Sequence, residues 1–88
     1  MSDKEIEENF DYAVKMVQTS TSNKKITNEI KLEFYGLYKQ ATIGNINKEK
    51  PGILNVTEYA KWNAWNKQKN KSKIDAMIDY CNLFADYS

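Results

Sequence analysis

FYGLYKQAT, residues 34–42, sets two tyrosines and a lysine within five positions around a glycine, on a segment that otherwise reads as helix. Ile30, Phe34, Leu37 and Ala41 recur at three- and four-residue spacing and make one apolar stripe, as a core-facing helix requires. Tyr35, Tyr38, Lys39 and Thr42 fall on the adjoining stripe. Thr27 is placed to cap this helix, and the spacing carries it through about residue 41. One stripe serves the core, and the adjoining one, aromatic and cationic, is either the edge of that core or a binding surface.

Upstream, Ile6, Phe10, Ala13, Val14 and Val17 share a helical face. Asp3, Glu5, Glu7 and Glu8 occupy the first turns, where the helix dipole favours negative charge. The spacing predicts a helix over 3–18, and TSTSNKK (19–25) follows as a polar break. Downstream, periodicity lapses over 43–55, IGNINKEKPGILN, which holds the only proline and two of the three glycines. A long ordered loop with a Pro51-Gly52 turn is expected. Helical signal returns at TEYAKWNAWNKQK (57–69), where Lys61, Trp62 and Trp65 share a face. Ser72 with Asp75 three residues on approximates a capping box for a last helix, whose expected stripe is Ile74, Met77, Ile78, Cys81 and Phe84. No segment alternates with period two. The expectation is all-α, four helices around one core, with residues 1–88 forming a single domain.

Composition narrows the function. A chain with 28% charged and 41% hydrophobic residues is globular rather than disordered, and 88 residues hold one core and a surface groove. The net charge of +1 supplies no overall field toward nucleic acid or an anionic membrane, so an anion site has to be local. All 13 basic residues are lysine. The start, MSDKEIEENF, is acidic and lacks an apolar signal-like run, and no window approaches the ~18 apolar residues of a membrane span. With one cysteine there is no internal disulfide, and a soluble protein of the cytoplasm is expected.

Catalysis has little support. The absence of histidine removes the usual general base near neutral pH and the commonest zinc ligand. Cys81, amid Ile74, Met77 and Ile78, reads as an inert buried thiol. Asp75 and Asp79 share a helical face that reads as solvated surface, and Gly36, Gly44 and Gly52 match neither a P-loop nor a dinucleotide fingerprint. No enzyme activity, metal or cofactor is expected. Tyr35, Tyr38, Trp62 and Trp65 have an ordinary reading as packing residues, and Lys39 and Lys61 as surface charges. Against that stands a coincidence: two separate helices each set a lysine beside aromatic rings. Lysine and tyrosine donors suit a phosphate, and a flat ring suits a purine.

These blocks also carry a family resemblance. FYGLYKQAT with its glycine at 44, PG followed by Leu54, AKW with AWN, and SK with DAM ahead of Tyr80 resemble the acyl-CoA-binding protein family in order and spacing, across about residues 6–87. The resemblance implies a four-helix bundle of up-down-down-up topology. It also implies a non-catalytic carrier of long-chain acyl-CoA such as palmitoyl- or myristoyl-CoA, monomeric, with no nucleic-acid partner and no stable membrane insertion. Carried over by position, Tyr35, Tyr38, Lys39 and Lys61 match the head-group site, with tyrosines at the adenine and lysines at the ribose 3′-phosphate. Tyr80 matches a fourth-helix tyrosine that contacts the coenzyme, and Leu32 a residue of the acyl groove. Gln18 stands where many members carry a further lysine of the anion site, which weakens the electrostatic part; Thr57 likewise replaces a lysine of some members. The TSTSNKKIT loop is longer than in the commonest versions.

Two other readings stay beside this one. AKWNAWNKQKNKSK (60–73) has the lysines and tryptophans of a nucleic-acid surface, although a net charge near zero and the lack of arginine oppose it. A purely structural helical adaptor would use the tyrosines for packing alone.

Overall fold

The computed structural model describes residues 1–19 and 26–87. Within them are four helices, α1 (Asp3–Thr19), α2 (Asn28–Thr42), α3 (Val56–Asn66) and α4 (Lys73–Tyr87), and no strand. The polar break expected at 19–25 lies, from residue 20 onward, outside the described residues.

Both expected caps form. Thr27 has extended backbone, and its hydroxyl accepts from the Ile30 N–H at 3.3 Å. The Ser72 hydroxyl accepts from the Asp75 N–H at 3.0 Å. The third helix departs from expectation, beginning at Val56 and ending at Asn66 rather than Lys69. Past Asn66 the chain tightens into successive three-residue turns, Gln68 N–H to Trp65 O and Lys69 N–H to Asn66 O, and then reverses at Asn70 with φ 75°.

Contacts between elements fix the directions. Phe10 meets Tyr80 and Tyr12 meets Phe84, so α1 and α4 run parallel. Phe34 meets Tyr80 while Gln40 reaches Lys71, so α2 opposes α4. Tyr35 lies by Lys61 and Lys39 by Trp65, so α2 and α3 run together. The topology is up-down-down-up. Two parallel neighbours cannot be joined by a tight turn, which is why 43–55 must be a long connection.

The core is an aromatic cluster. Phe10, Phe34 and Tyr80 are each 3% exposed, with Tyr80 at 5.2 Å from Phe10 and 4.9 Å from Phe34 between ring centroids. Leu37, Ala41, Ala13 and Ala76 complete it, so the predicted α2 stripe is the buried one, with Ile30 packed at its edge. On α4 the fully buried residues are Ala76 and Tyr80; of the expected stripe Ile74, Met77, Ile78, Cys81 and Phe84, Ile78 is exposed. The reason is that α4 lies against both α1 and α2, which face it from two sides. Met77, Cys81, Leu83 and Phe84 pack against the same core.

Two glycines set the approach of α2 to α3. A Cβ at Gly36 would stand 2.2 Å from the Ala64 carbonyl oxygen, so only glycine lets these backbones touch. Gly44, at φ 101°, ends α2 in a conformation open to glycine. Its carbonyl then accepts the Trp65 indole N–H at 2.8 Å, while the Trp62 indole N–H goes to the Lys48 carbonyl at 2.9 Å. The two indoles tie the connection to α3. Gln40, 1% exposed, holds the other end: its amide N–H groups reach Asn45 Oδ1 at 2.9 Å and the Lys71 carbonyl at 2.7 Å.

Candidate functional site

Tyr35 and Lys39 of the second α2 stripe face α3. Tyr35 lies beneath two lysines, Lys61 Nζ at 5.1 Å and Lys39 Nζ at 5.7 Å from its ring centroid. Lys39 Nζ is also 5.7 Å from the Trp65 ring, itself buried to 1%. Ammonium groups are attracted to ring faces, so Tyr35 gathers two like charges that otherwise repel. Only Lys61 has a carboxylate neighbour among the described residues, Glu58 at 3.7 Å, which is long and exposed. The pair of cations is therefore largely uncompensated, and an anion placed between them would receive charge-assisted donors from both α2 and α3.

Tyr38 lies half-buried on the other flank, its ring 6.2 Å from Phe10 and nearly parallel to it. Tyr80 is deeper. Burial, then the Tyr38 and Cys81 groups beside it, pushes its hydroxyl up to about 12, so it stays protonated as a donor. Burial likewise pushes the Cys81 thiol up, in keeping with an unreactive cysteine. Asp79, expected to be free in solvent, pairs with Lys71.

Leu32 lines a cavity of about 510 Å³ between α2 and α3, shared with Ile30, Ala60 and Ala64 and with the polar Glu29, Glu33, Asn63, Lys67 and Gln68. That volume falls within the range of small-molecule sites, about 300–1,000 Å³. Small side chains on α3 leave this space: Ala60 and Ala64 stand one turn apart, where larger residues would fill it. Gln18 is exposed in the last turn of α1, eight residues and about 12 Å of helix rise beyond Phe10. No hydrogen bond joins it to the other predicted residues among those described.

Thus Tyr35, Lys39 and Lys61 come together, with Leu32 on the groove between α2 and α3; Tyr38, with Tyr80 beside it, stands against Phe10 of α1, and Gln18 sits farther along α1. Trp65 as a partner of Lys39, and the alanines of the groove, were not legible as site residues. The one signal available for the groove was two small residues four apart on α3, Ala60 and Ala64, a spacing that does not by itself distinguish a groove from close packing.

The profile of the family described as Acyl CoA binding protein matches residues 7–84. The chain belongs to the acyl-CoA-binding protein family. It is 44% identical over 75 residues to an acyl-CoA-binding protein of Ricinus communis, spanning 85% of this chain and 81% of that one. It is 52% identical over 69 residues to acyl-CoA-binding protein 2 of Saccharomyces pastorianus, spanning 74% and 78% respectively. The crystal structure of acyl-CoA-binding protein 2 from Oryza sativa superposes with a TM-score of 0.88 at 38% identity, covering 96% of this chain and 89% of the other. Sharing this family's fold, the chain is an all-α four-helix protein in which the Tyr35–Lys39–Lys61 cluster and the Leu32 groove adjoin each other across α2 and α3.

Proposed function

We propose that this protein is a non-catalytic, cytoplasmic carrier of long-chain acyl-CoA, working as a monomer. Membership of the acyl-CoA-binding protein family supports it, and the single structural observation that carries it is the convergence of Lys39 and Lys61 on the Tyr35 ring. In this reading the two ammonium groups grip the ribose 3′-phosphate and the Tyr35 and Tyr38 rings meet the adenine. Tyr80 supports Tyr38 from beneath. The acyl tail lies along the Leu32, Ala60 and Ala64 groove. Burying fourteen methylenes is worth about 11 kcal/mol gross at ~0.8 kcal/mol each, less the cost of ordering the ligand. Head-group contacts then supply selectivity over free fatty acid. With Gln18 in place of a lysine, the anion grip rests on two lysines.

The test is a double cycle by calorimetry over protein variant and ligand phosphate. Removing the 3′-phosphate from palmitoyl-CoA leaves every methylene in place, yet one or two charged hydrogen bonds at about 1.5–3 kcal/mol each are lost, so affinity should fall tenfold or more. Lys39→Met should cause a similar loss with intact ligand. Combining the two should add far less than their sum, since both remove one contact. Fully additive losses would mean that Lys39 does not meet that phosphate, and no binding of palmitoyl-CoA at all would end the proposal.

A further inference from the structure

Three exposed large apolar side chains fall within four residues where the connection enters α3: Ile53 is 77% exposed, Leu54 95% and Val56, the first residue of α3, 73%. They are presented on an ordered frame. The Asn55 N–H closes a turn on the Gly52 carbonyl at 3.0 Å, the Tyr59 N–H takes the Asn55 carbonyl at 2.9 Å, and Trp62 holds Lys48 from behind. Ile53 and Leu54, the tip, are not among the described side chains that form the core or pack against it.

What surrounds the tip indicates what covers it. Lys48, Glu49 and Lys50 precede it, all exposed, which gives the stretch a net charge of +1. One turn into α3, Lys50 Nζ lies 5.1 Å from the Tyr59 ring centroid and 6.0 Å from that of Trp62. The Lys50 ammonium, followed by Asn63, holds the Tyr59 hydroxyl below its usual range. Tyrosine, tryptophan and lysine thus gather beside an exposed aliphatic tip. Membrane-contacting surfaces combine the same groups, with apolar side chains among acyl chains, aromatic rings at headgroup level and lysines against anionic phosphates. A second copy of this chain would bring together two loops of net charge +1, Glu49 included, and like net charges would meet.

We propose that the 48–56 segment is a reversible contact for bilayers carrying anionic phospholipid, with Ile53 and Leu54 entering the interface and Lys48 and Lys50 on the phosphates. Two aliphatic side chains and two lysines make a transient contact, not an anchor. This goes beyond acyl-CoA carriage and does not depend on it.

The experiment is co-sedimentation of the protein with vesicles of phosphatidylcholine alone or mixed with phosphatidylserine, without acyl-CoA. Wild type should partition onto the mixed vesicles at low salt and release as salt rises. Ile53→Ser with Leu54→Ser should lower the partition coefficient at least tenfold. Lys48→Gln with Lys50→Gln should lower it several-fold and flatten the salt dependence. Thermal midpoints and acyl-CoA affinity in solution, measured on the Ile53/Leu54 variant, should match wild type. That separates loss of lipid contact from misfolding and from failure of the ligand assignment. Equal partition of the serine variant, or no binding of wild type to mixed vesicles, overturns the proposal. A concentration-dependent dimer abolished by the serine pair would assign the tip to a second copy and overturn it as well.

Discussion

Gly36→Ala tests the contact on which the site is built. The added Cβ would stand 2.2 Å from the Ala64 oxygen and 2.7 Å from its carbonyl carbon, with the Trp65 nitrogen at 3.2 Å. Ordinary contact begins near 3.4 Å, so α2 and α3 must part by about 1.2 Å, and the obstruction is backbone, which cannot rotate away. Overpacking of this kind costs about 1–3 kcal/mol. Alanine regains about 1 kcal/mol of helix propensity, which leaves a net loss of up to about 2 kcal/mol. At about 4–8 °C per kcal/mol for a domain of this size, the thermal midpoint should fall by several degrees and at most about 16 °C. Acyl-CoA affinity should fall too, because Lys61 is carried on α3 and the Tyr35 ring on α2. Gly52→Ala is the control: a Cβ there meets nothing within 4 Å, and its midpoint should hold or rise. Scanning calorimetry and denaturant titration measure both. If Gly36→Ala melts at or above the wild-type temperature, the close approach of α2 and α3 is not what glycine secures, and the reasoning fails.

Ser72→Ala removes the acceptor for the Asp75 N–H and should cost about 1 kcal/mol in urea unfolding while leaving acyl-CoA affinity unchanged. The Tyr80 hydroxyl, up at about 12 in the fold against 10.0 in the open chain, keeps its proton when the unfolded chain has lost it. Its contribution is complete below pH 10, declines as pH rises from 10 to 12, and reaches its floor above that. In urea titrations across that window, Tyr80→Phe should therefore show a shallower decline than wild type. An identical slope would place the Tyr80 hydroxyl in water.

How much was legible depends on the residue. The α2 stripe of Phe34, Leu37 and Ala41 was readable because a helix face is set by local spacing, and the core buries it as spaced. The caps at Thr27 and Ser72 were readable for the same reason, since the capping hydroxyl and the N–H that donates to it lie three residues apart. The α4 stripe was read in part: Met77, Cys81 and Phe84 pack against the core as expected, but Ile78 does not. Apolar identity suggested Ile78, but burial follows from which neighbours press on the helix, and those neighbours selected Ala76 and Tyr80. The end of α3 was misread, because Lys67, Gln68 and Lys69 are adequate helix formers. Turn geometry and the connection to α4 end it at Asn66.

By itself the sequence determined the helix count, the aromatic-lysine stripe and, through the FYGLYKQAT and AKWNAWN blocks, the family, all of which are carried by short-range spacing. Only the tertiary structure decided that Lys39 and Lys61 meet over one ring, and that Ala60 and Ala64 open a groove beside Leu32. It also set the Ile53–Leu54 tip outside the core. Those relations join residues far apart in the chain. They exist because the Gly36–Ala64 contact and the two indole hydrogen bonds fix how α3 and its loop sit against α2, a rigid-body matter that no local pattern encodes.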